Sequence, residues 1–269
     1  MTTTAPVSVV VPCYRCIATL ERAVLSVAGQ TQRPTEMILV DDASGDGTLD
    51  LLQSLQARFG DWVRVLELPT NAGAASARNT GWNVATQPYI AFLDADDAWH
   101  PSKIEVQWGY MQQHLDVVLS GHLSRQLPQT ATEAPSWPIA LAGAQDVTWN
   151  TLLLRHQFVT PSVMLKREIA LRFSEGARHM EDHRLWLEIA GASMRMVKLQ
   201  AELVAVYKPV YGASGLSADM WRMETAELDN YRYFQSIRKI SRLQMLVLQI
   251  YSLTKFVRRL VIVRFFNRV

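Results

Sequence analysis

The chain has 269 residues, of which 49% are hydrophobic and 19% are charged, a composition typical of a globular protein with one large domain or two small ones. The net charge of +2 gives no reason to expect a nucleic-acid partner. The N-terminus lacks a basic start followed by an apolar run, so we expect no secretory signal. No second cysteine pair accompanies Cys13 and Cys16 to complete a zinc site, and we interpret both as reduced thiols of a cytosolic chain.

In the first hundred residues, apolar strands alternate with helical segments. We predict strands over 7–11, 37–40, 63–68 and 89–93, the first of them ended by Pro12, and helices over 18–28, 48–59 and 74–85. Strands and helices that alternate in this way form a parallel sheet with right-handed crossovers. The first half of the chain is therefore interpreted as a Rossmann-like nucleotide-binding unit.

The pattern is less regular after residue 99. We predict a helix over 103–113, a strand over 117–120, a proline-containing loop or lid over 125–145 and a strand over 161–166. A further helix over 181–190 begins with two acidic residues, which the dipole at a helix N-terminus stabilises. It could bury one apolar side.

The loops after the four early strands carry residues that can bind a nucleotide. They span 12–14, 41–48, 71–81 and 94–97. Parallel strands present their carboxyl ends at one edge of a sheet, so these loops should converge on one crevice. Tyr14 can stack on a base, Asp42 can accept a hydrogen from it, and Arg78 offers a planar fork to phosphate or base. Tyr14 as a half-buried aromatic residue and Asp42 as a turn residue are the structural alternatives.

Three carboxylates, Asp94, Asp96 and Asp97, follow the buried strand that ends near Leu93. Like charges at this spacing repel one another unless a cation lies among them. Mg²⁺ is usually held by one or two carboxylates together with substrate phosphates. The cluster therefore indicates a site for a metal and a phosphate, and the alternative is an acidic turn that caps the helix beginning near Pro101.

These motifs, taken in order, resemble those of the family-2 glycosyltransferases, which have the GT-A fold. The resemblance covers roughly residues 7–218 and rests on Val-Ser-Val-Val-Val-Pro-x-Tyr, Val-Asp-Asp-x-Ser-x-Asp-Gly-Thr, Asn-x-Gly-x-x-x-Ala-Arg-Asn-x-Gly, Asp-Ala-Asp-Asp and Glu-Asp-x-x-Leu-Trp. It implies an α/β, Rossmann-like fold with a mostly parallel central sheet. It also implies an inverting, Mn²⁺- or Mg²⁺-assisted transfer from a nucleotide-diphosphate sugar, with UDP-sugar the expected donor. The acceptor would be a hydroxyl of a glycan or lipid-linked molecule in cell-surface polysaccharide biosynthesis.

The resemblance also assigns roles to individual residues. Asp96 and Asp94 would hold the metal, with Asp96 the expected direct ligand, and Asp182 would be the general base, although Glu181 could serve equally on sequence grounds. Arg15 departs from the family, which often has Asn after the tyrosine. The positions matched to nucleotide binding are Pro12, Cys13, Tyr14, Asp42, Gly73, Arg78, Asp94 and Ala95.

Two later segments, 160–162 and 207–217, resemble parts of the family that close over donor and acceptor. His183 follows the proposed base and is interpreted as a surface histidine, with contact to substrate as the alternative. We divide the chain into a glycosyltransferase domain over 1–230, with a nucleotide half over 1–99 and an acceptor half over 100–230, and a tail over 231–269.

The tail carries nine lysine and arginine residues and no acidic residue. If 240–261 is helical, one face holds Ile240, Leu243, Val247, Ile250, Val257 and Val261, and the opposite face holds Arg242, Gln249, Ser252 and Arg259. The uncharged stretch 243–254 is too short to span a bilayer. We therefore predict an amphipathic helix that lies on the anionic inner face of the plasma membrane. Packing on the protein's own core or on a second subunit of a homodimer is the alternative.

Two other functions compete with glycosyl transfer. A sugar-nucleotide pyrophosphorylase would open with a glycine-rich phosphate loop, which 12–15 does not form. A non-catalytic nucleotide-sugar-binding subunit of a membrane glycan-assembly complex would be expected to lose metal or base carboxylates, yet Asp94, Asp96 and Asp182 are all present. A processive polysaccharide synthase would carry membrane spans and a Gln-x-x-Arg-Trp motif, and the sequence contains neither.

Overall fold

The computed structural model describes residues 4–131, 135–207 and 219–266. Its strands are β1 (Thr4–Cys13), β2 (Arg33–Asp41), β3 (Val63–Glu67), β4 (Tyr89–Phe92), β5 (Ala98–Trp99), β6 (Val117–Gln126), β7 (Ala144–Asp146), β8 (Met164–Lys166) and β9 (Arg195–Val206). Its α-helices are α1 (Ile17–Ala28), α2 (Thr48–Phe59), α3 (Ala74–Val84), α4 (Lys103–Gln113), α5 (Trp149–Leu154), α6 (Glu181–Gly191), α7 (Met220–Ser236) and α8 (Arg242–Phe266). Within these residues, the strands form one sheet in the order β3-β2-β1-β4-β8-β6-β9-β5, with β7 paired to β9.

Strands β1 to β4, which are connected by helices, form the predicted parallel unit. The expectation that Pro12 ends β1 is wrong, since Pro12 pairs with Val40 and the strand continues to Cys13. The reason lies in the β4 side of the strand, where Val10 O accepts the last hydrogen bond, from Leu93 N. Pro12 lies two residues further along on the same side, beyond the end of β4, where its missing N–H leaves no partner unpaired.

The second half of the sheet is mixed, but the longest strand pairings described are parallel, in agreement with the expected mostly parallel sheet. β8 runs antiparallel to both β4 and β6, whereas β6 and β9 are parallel. β5 and β7 pair antiparallel with β9. The predicted strand over 161–166 is shorter than expected, because a 3₁₀ turn at Thr160–Ser162 precedes β8. The predicted loop over 125–145 includes the end of β6 and the start of β7.

Helices cover both faces of the parallel half, because successive residues of β1 point to opposite sides. Val9 belongs to the hydrophobic cluster that contains Leu20 of α1, and Val10 belongs to the cluster that contains Trp82 of α3. Gly81 allows α3 to approach closely, since a Cβ at this position would lie 2.5 Å from Val10 Cγ1. This packing holds α3 close to β1 and β2, through Val10 and Val40.

The two C-terminal helices α7 and α8 form a hairpin that packs against the rest of the chain. In α7, Tyr231 is fully buried and its hydroxyl donates to Leu153 O of α5 at 3.1 Å. Asn230 Nδ2 donates to Met180 O, the residue before α6, at 3.2 Å. The predicted boundary after residue 230 therefore falls inside α7, and α7 supports the beginning of α6.

α8 packs on α7 through the side that the sequence analysis took as its polar face. Ser252 and Phe256 are buried, and the Phe256 ring lies 4.7 Å from the Trp221 ring. Two cations of this side are paired, Lys255 with Glu227 at 3.2 Å and Arg259 with Glu224 at 2.8 Å. The described helices include none that is long and apolar enough to cross a membrane.

The predicted apolar face of α8 remains exposed, apart from Ile240, which precedes the helix and is buried. Leu243 is 72% exposed, and Val247, Ile250 and Val257 are each 57% exposed. Burial of such side chains normally contributes to stability. An uninterrupted apolar stripe in water therefore indicates a surface that another molecule covers.

Candidate functional site

The loops predicted to converge are joined by hydrogen bonds at the carboxyl edge of the parallel strands. Asp42 N donates to Cys13 O at 2.8 Å, which ties the end of β2 to the end of β1. The Asp42 carboxylate accepts from Ala72 N at 2.7 Å and from Gly73 N at 2.8 Å. Asp42 therefore holds the loop before α3 in place, and its side chain is almost fully buried.

Gly73 has a backbone conformation that side chains disfavour. Its φ of 88° and ψ of 166° lie in a region that is essentially restricted to glycine. The residue forms the N-cap of α3, so this conformation directs the helix start, and with it Arg78, toward the strand ends.

At the end of β1, the exposed ring of Tyr14 follows the buried residue Cys13. Cys13 is fully buried, and burial raises the pKa of its thiol, which favours the protonated form. Pro12 is partly buried, and Tyr14 is 45% exposed and available for stacking. Arg15 has a φ of 49°, a left-handed conformation that asparagine tolerates better than most residues. This backbone conformation explains why asparagine suits the position. In this chain, Arg15 N donates to Ser44 Oγ and Arg15 Nε donates to Ser44 O.

Arg78 links the two halves of the site. Its Nη2 lies 2.8 Å from Asp94 Oδ1 at the end of β4, and its Nη1 lies 3.1 Å from Glu181 Oε1 at the start of α6. The guanidinium is buried, and the two carboxylates keep its pKa above the usual arginine value despite burial. Arg78 was expected to bind the nucleotide, but this link could not be predicted from the sequence, because Asp94 and Glu181 lie 16 and 103 residues away along the chain.

The acidic turn after β4 gathers several charges around Asp94. Burial raises the pKa of Asp94, Arg78 opposes that rise, and the nearby charges of Asp96 and Asp182 add to it. Ala95 is buried, and Asp96 O accepts a hydrogen bond from Arg22 Nη2 at 2.6 Å. Among the residues described, no group of three or more His, Cys, Asp or Glu side chains is placed to hold a metal ion.

Asp182 and Glu181 differ in their surroundings although they are adjacent. The Asp182 carboxylate is partly exposed and accepts from Thr160 Oγ1 at 2.9 Å and from His183 N at 2.7 Å. Glu181 is 8% exposed and paired with Arg78. Burial and the charge of Asp182 raise the pKa of Glu181, and Arg78 opposes the rise. Asp182 is therefore the more accessible carboxylate of the pair.

Thr160 donates to Asp182, a contact that no sequence pattern indicated, although the segment 160–162 was expected to close over donor and acceptor. The expectation of a surface position for His183 is wrong: the residue is 1% exposed, and its ring stacks on His156 at 4.0 Å. The segment 207–217 lies outside the described residues except for Tyr207, whose ring packs 3.5 Å from the Arg22 guanidinium.

Residues 8–172 match the family described as "Glycosyl transferase family 2", and the chain is similar in sequence to several curated glycosyltransferases. The putative glycosyltransferase EpsE of Bacillus subtilis is 30% identical over 74% of this chain and 72% of its own length. WfgD of Escherichia coli is 31% identical over 68% of this chain and 69% of its own length. Its name describes it as a UDP-Glc:alpha-D-GlcNAc-diphosphoundecaprenol beta-1,3-glucosyltransferase. TuaG of B. subtilis, a putative teichuronic acid biosynthesis glycosyltransferase, is 42% identical, but that match spans 42% of TuaG and 40% of this chain.

Solved glycosyltransferase structures share the fold. The mannosyltransferase PcManGT of Pyrobaculum calidifontis, in complex with GDP-Man and Mn²⁺, superposes with a TM-score of 0.68 at 18% identity, covering the whole of this chain and 77% of that one. TarS 1–349 of S. aureus with UDP-GlcNAc gives a TM-score of 0.63 at 18% identity, covering 94% of this chain and 80% of that one. At these identities the comparison concerns architecture alone, and it confirms the predicted GT-A type of α/β fold.

Proposed function

Because the chain belongs to glycosyl transferase family 2 and is a glycosyltransferase, we propose that it transfers a sugar with inversion from a UDP-sugar to a hydroxyl of a glycan or lipid-linked acceptor. Its relatives act in bacterial polysaccharide biosynthesis, as the names of TuaG and of the amylovoran enzyme AmsB of Erwinia amylovora state. The observation that carries the proposal is the Arg78 link, which brings the nucleotide loops and the start of α6 together.

The nucleotide lies across the carboxyl ends of β1, β2 and β4 in this proposal. Tyr14 stacks on the uracil ring, and Asp42 and Gly73 shape the loop that receives the base. Arg78 is paired with Asp94 of the acidic turn, and its positive charge favours the diphosphate as well as Asp94. The remaining contacts come from Pro12, Asp94 and Ala95, whereas the fully buried Cys13 would support the loop beneath them.

Asp94 and Asp96 would hold Mn²⁺ or Mg²⁺. Two carboxylates fit such an ion when a diphosphate and waters supply its other ligands. Burial raises the pKa of Asp94 and the nearby charge of Asp96 adds to the rise, so a cation beside the two carboxylates would relieve an unfavourable arrangement. When bound, the ion would neutralise charge on the departing nucleoside diphosphate.

Asp182 acts as the general base. A sugar hydroxyl is a weak nucleophile at neutral pH, so a positioned carboxylate must take its proton as the new bond forms. Thr160 Oγ1 and His183 N orient the Asp182 carboxylate. Glu181 is a poorer candidate, because it is enclosed and its oxygen is bound to Arg78.

The exposed stripe of α8 lies on the inner face of the plasma membrane. Nine basic residues in the tail would attract anionic lipid, and the apolar side chains would enter the interface. The lysine and arginine paired with α7 support the hairpin and would not contact headgroups. Alternatively, the exposed stripe of α8 is covered by the same stripe of a second copy of the chain in a homodimer.

A panel of nucleotide sugars tests the proposed reaction. We expect UDP-glucose or another UDP-sugar to be hydrolysed slowly in the presence of Mn²⁺, and not in EDTA, with GDP-mannose as the comparison donor. Release of UDP with inverted sugar would be followed by NMR. Absence of hydrolysis and of any thermal stabilisation across the panel would contradict the proposal.

A further inference from the structure

The direction of the Asp182 carboxylate is set by two hydrogen bonds of different origin. Its Oδ2 accepts from Thr160 Oγ1 at 2.9 Å, and its Oδ1 accepts from His183 N at 2.7 Å. His183 is the next residue in the chain, whereas Thr160 lies 22 residues away. The bond from Thr160 is therefore the one that depends on how distant segments pack.

Thr160 belongs to a single short turn. This 3₁₀ turn spans Thr160–Ser162, and Val163 N donates to Thr160 O at 3.0 Å. Hydrogen bonds in 3₁₀ turns have poorer geometry than those of an α-helix. We therefore expect contacts from outside the turn to determine where the Thr160 hydroxyl lies.

Two side chains from another part of the sequence bind successive carbonyl groups of this turn. Trp99 Nε1 donates to Pro161 O at 2.8 Å, and Gln107 Nε2 donates to Ser162 O at 2.9 Å. The same amide nitrogen of Gln107 also donates to Ser120 O of β6 at 2.9 Å. Gln107 thus ties the turn to the central sheet, while Trp99 holds the peptide group directly after Thr160.

Both donors are enclosed by their neighbours. Trp99 is 1% exposed and Gln107 is fully buried. Trp99 N donates to Ser26 Oγ at 3.0 Å, and Lys103 Nζ lies 3.7 Å from the centre of the Trp99 ring. Lys103 and Gln107 are four residues apart in α4, so they lie on the same face of that helix. Close packing of this kind leaves buried side chains little room to move, so the two hydrogen bonds to the turn have a fixed direction.

Trp99 also connects the turn with the acidic segment of the donor half. It lies in β5, two residues after the turn 94–97. Its bond to Pro161 O joins residues that are 62 positions apart in the chain. The segment that follows the proposed metal ligands therefore also supports the turn beside the proposed base.

We propose that Trp99 and Gln107 are positioning residues for the base, because they hold the turn 160–162 so that the Thr160 hydroxyl fixes the direction of the Asp182 carboxylate. This inference rests on the proposed glycosyl transfer with Asp182 as its base. A catalytic group that is displaced by about 1 Å can lose about 10²-fold in rate. Loss of either hydrogen bond to the turn should therefore slow the chemical step and leave donor binding intact.

Kinetics of two conservative variants test this role. Trp99→Phe keeps an aromatic ring and removes the N–H, and Gln107→Met keeps the length of the side chain and removes both donated bonds. With an accepted UDP-sugar and acceptor, we expect each variant to lower kcat by about tenfold, while the Kd for UDP with Mn²⁺ stays close to that of the unaltered protein. Trp62→Phe is the matched control, since Trp62 Nε1 donates to Pro34 O at 2.8 Å at the amino ends of β2 and β3, and it should leave kcat unchanged.

A double-mutant cycle shows whether the two residues act through Thr160. Thr160→Val removes the hydroxyl and should lower kcat, and Thr160→Ser should restore most of it. Trp99→Phe should then lower kcat much less in the Thr160→Val background than in the unaltered protein, since effects that share one partner are not additive. Additive effects, or an unchanged kcat in Trp99→Phe, would overturn the inference. Trp99→Phe carries the test alone if Gln107→Met does not fold.

Asp182→Asn separates this inference from the proposed function. Absence of transfer by the unaltered protein refutes the proposed reaction, and a fully active Asp182→Asn variant refutes its base. An impaired Asp182→Asn variant beside fully active Trp99→Phe and Thr160→Val variants refutes the positioning role alone.

Discussion

Arg78 is the residue on which the geometry of the site depends most. It is 5% exposed and neutralises two carboxylates that belong to different elements. Removal of one partner from a buried ion pair leaves an uncompensated charge, which is far more costly than loss of an exposed pair.

Arg78→Met should therefore lower the free energy of unfolding by about 3–5 kcal/mol. Arg125→Met, which removes the exposed pair with Glu202, should cost about 1 kcal/mol or less. Urea unfolding at pH 7 measures both. Similar costs for the two variants would show that the Arg78 link is not a structural centre of the site.

The second prediction for a single residue concerns Gly73. Alanine at this position would have to adopt a φ of 88°, at a cost of about 1–3 kcal/mol, or shift the loop that Asp42 holds. Gly73→Ala should thus reduce both stability and affinity for UDP. Gly109→Ala is the matched control, because this position in α4 has open space around it and alanine favours a helix by about 0.5–1 kcal/mol. Stabilisation of both variants would contradict the assigned role of the Gly73 backbone.

At the scale of elements, α8 has two faces with different functions. Phe256 faces α7, whereas Leu243, Val247 and Ile250 face outward. Replacement of the three outward residues by serine should abolish sedimentation with anionic liposomes while the midpoint of thermal unfolding stays unchanged. Each apolar side chain that enters the interface contributes roughly 1.5 kcal/mol or more, so the combined loss exceeds tenfold.

The control for α8 is Phe256→Ala. It should destabilise the hairpin by about 3–5 kcal/mol. Full-length protein that ignores liposomes, or a triple variant that converts a dimer into a monomer in sedimentation equilibrium, would show that the stripe packs on protein.

Elements of the first half were predictable because each carries its own local signal. The apolar runs of β2 and β4 and the turn residues after them place strand, loop and helix within a few residues of the observed bounds. β9 and α7 escaped prediction because their stability comes from distant partners. Tyr231, for example, is fixed by Leu153 O, and its position in the chain gives no sign of that contact.

At the scale of the whole molecule, the sequence predicts the edge on which the site lies but not how its two halves are joined. Parallel strands must share one carboxyl edge, so Asp42 and Asp94 were expected to converge. The antiparallel β8 and the start of α6 bring Thr160 and Asp182 to the same place through contacts that no local pattern encodes.

The most direct test of the account compares Asp182→Asn with Glu181→Gln. With an accepted UDP-sugar and acceptor, Asp182→Asn should lower kcat by about 10²-fold or more, because the proton acceptor of the transition state is removed. Its Kd for UDP with Mn²⁺ should stay close to that of the unaltered protein, whereas Glu181→Gln should retain much more of kcat. A fully active Asp182→Asn variant, or a loss of kcat confined to Glu181→Gln, would contradict the assignment of Asp182 as the base.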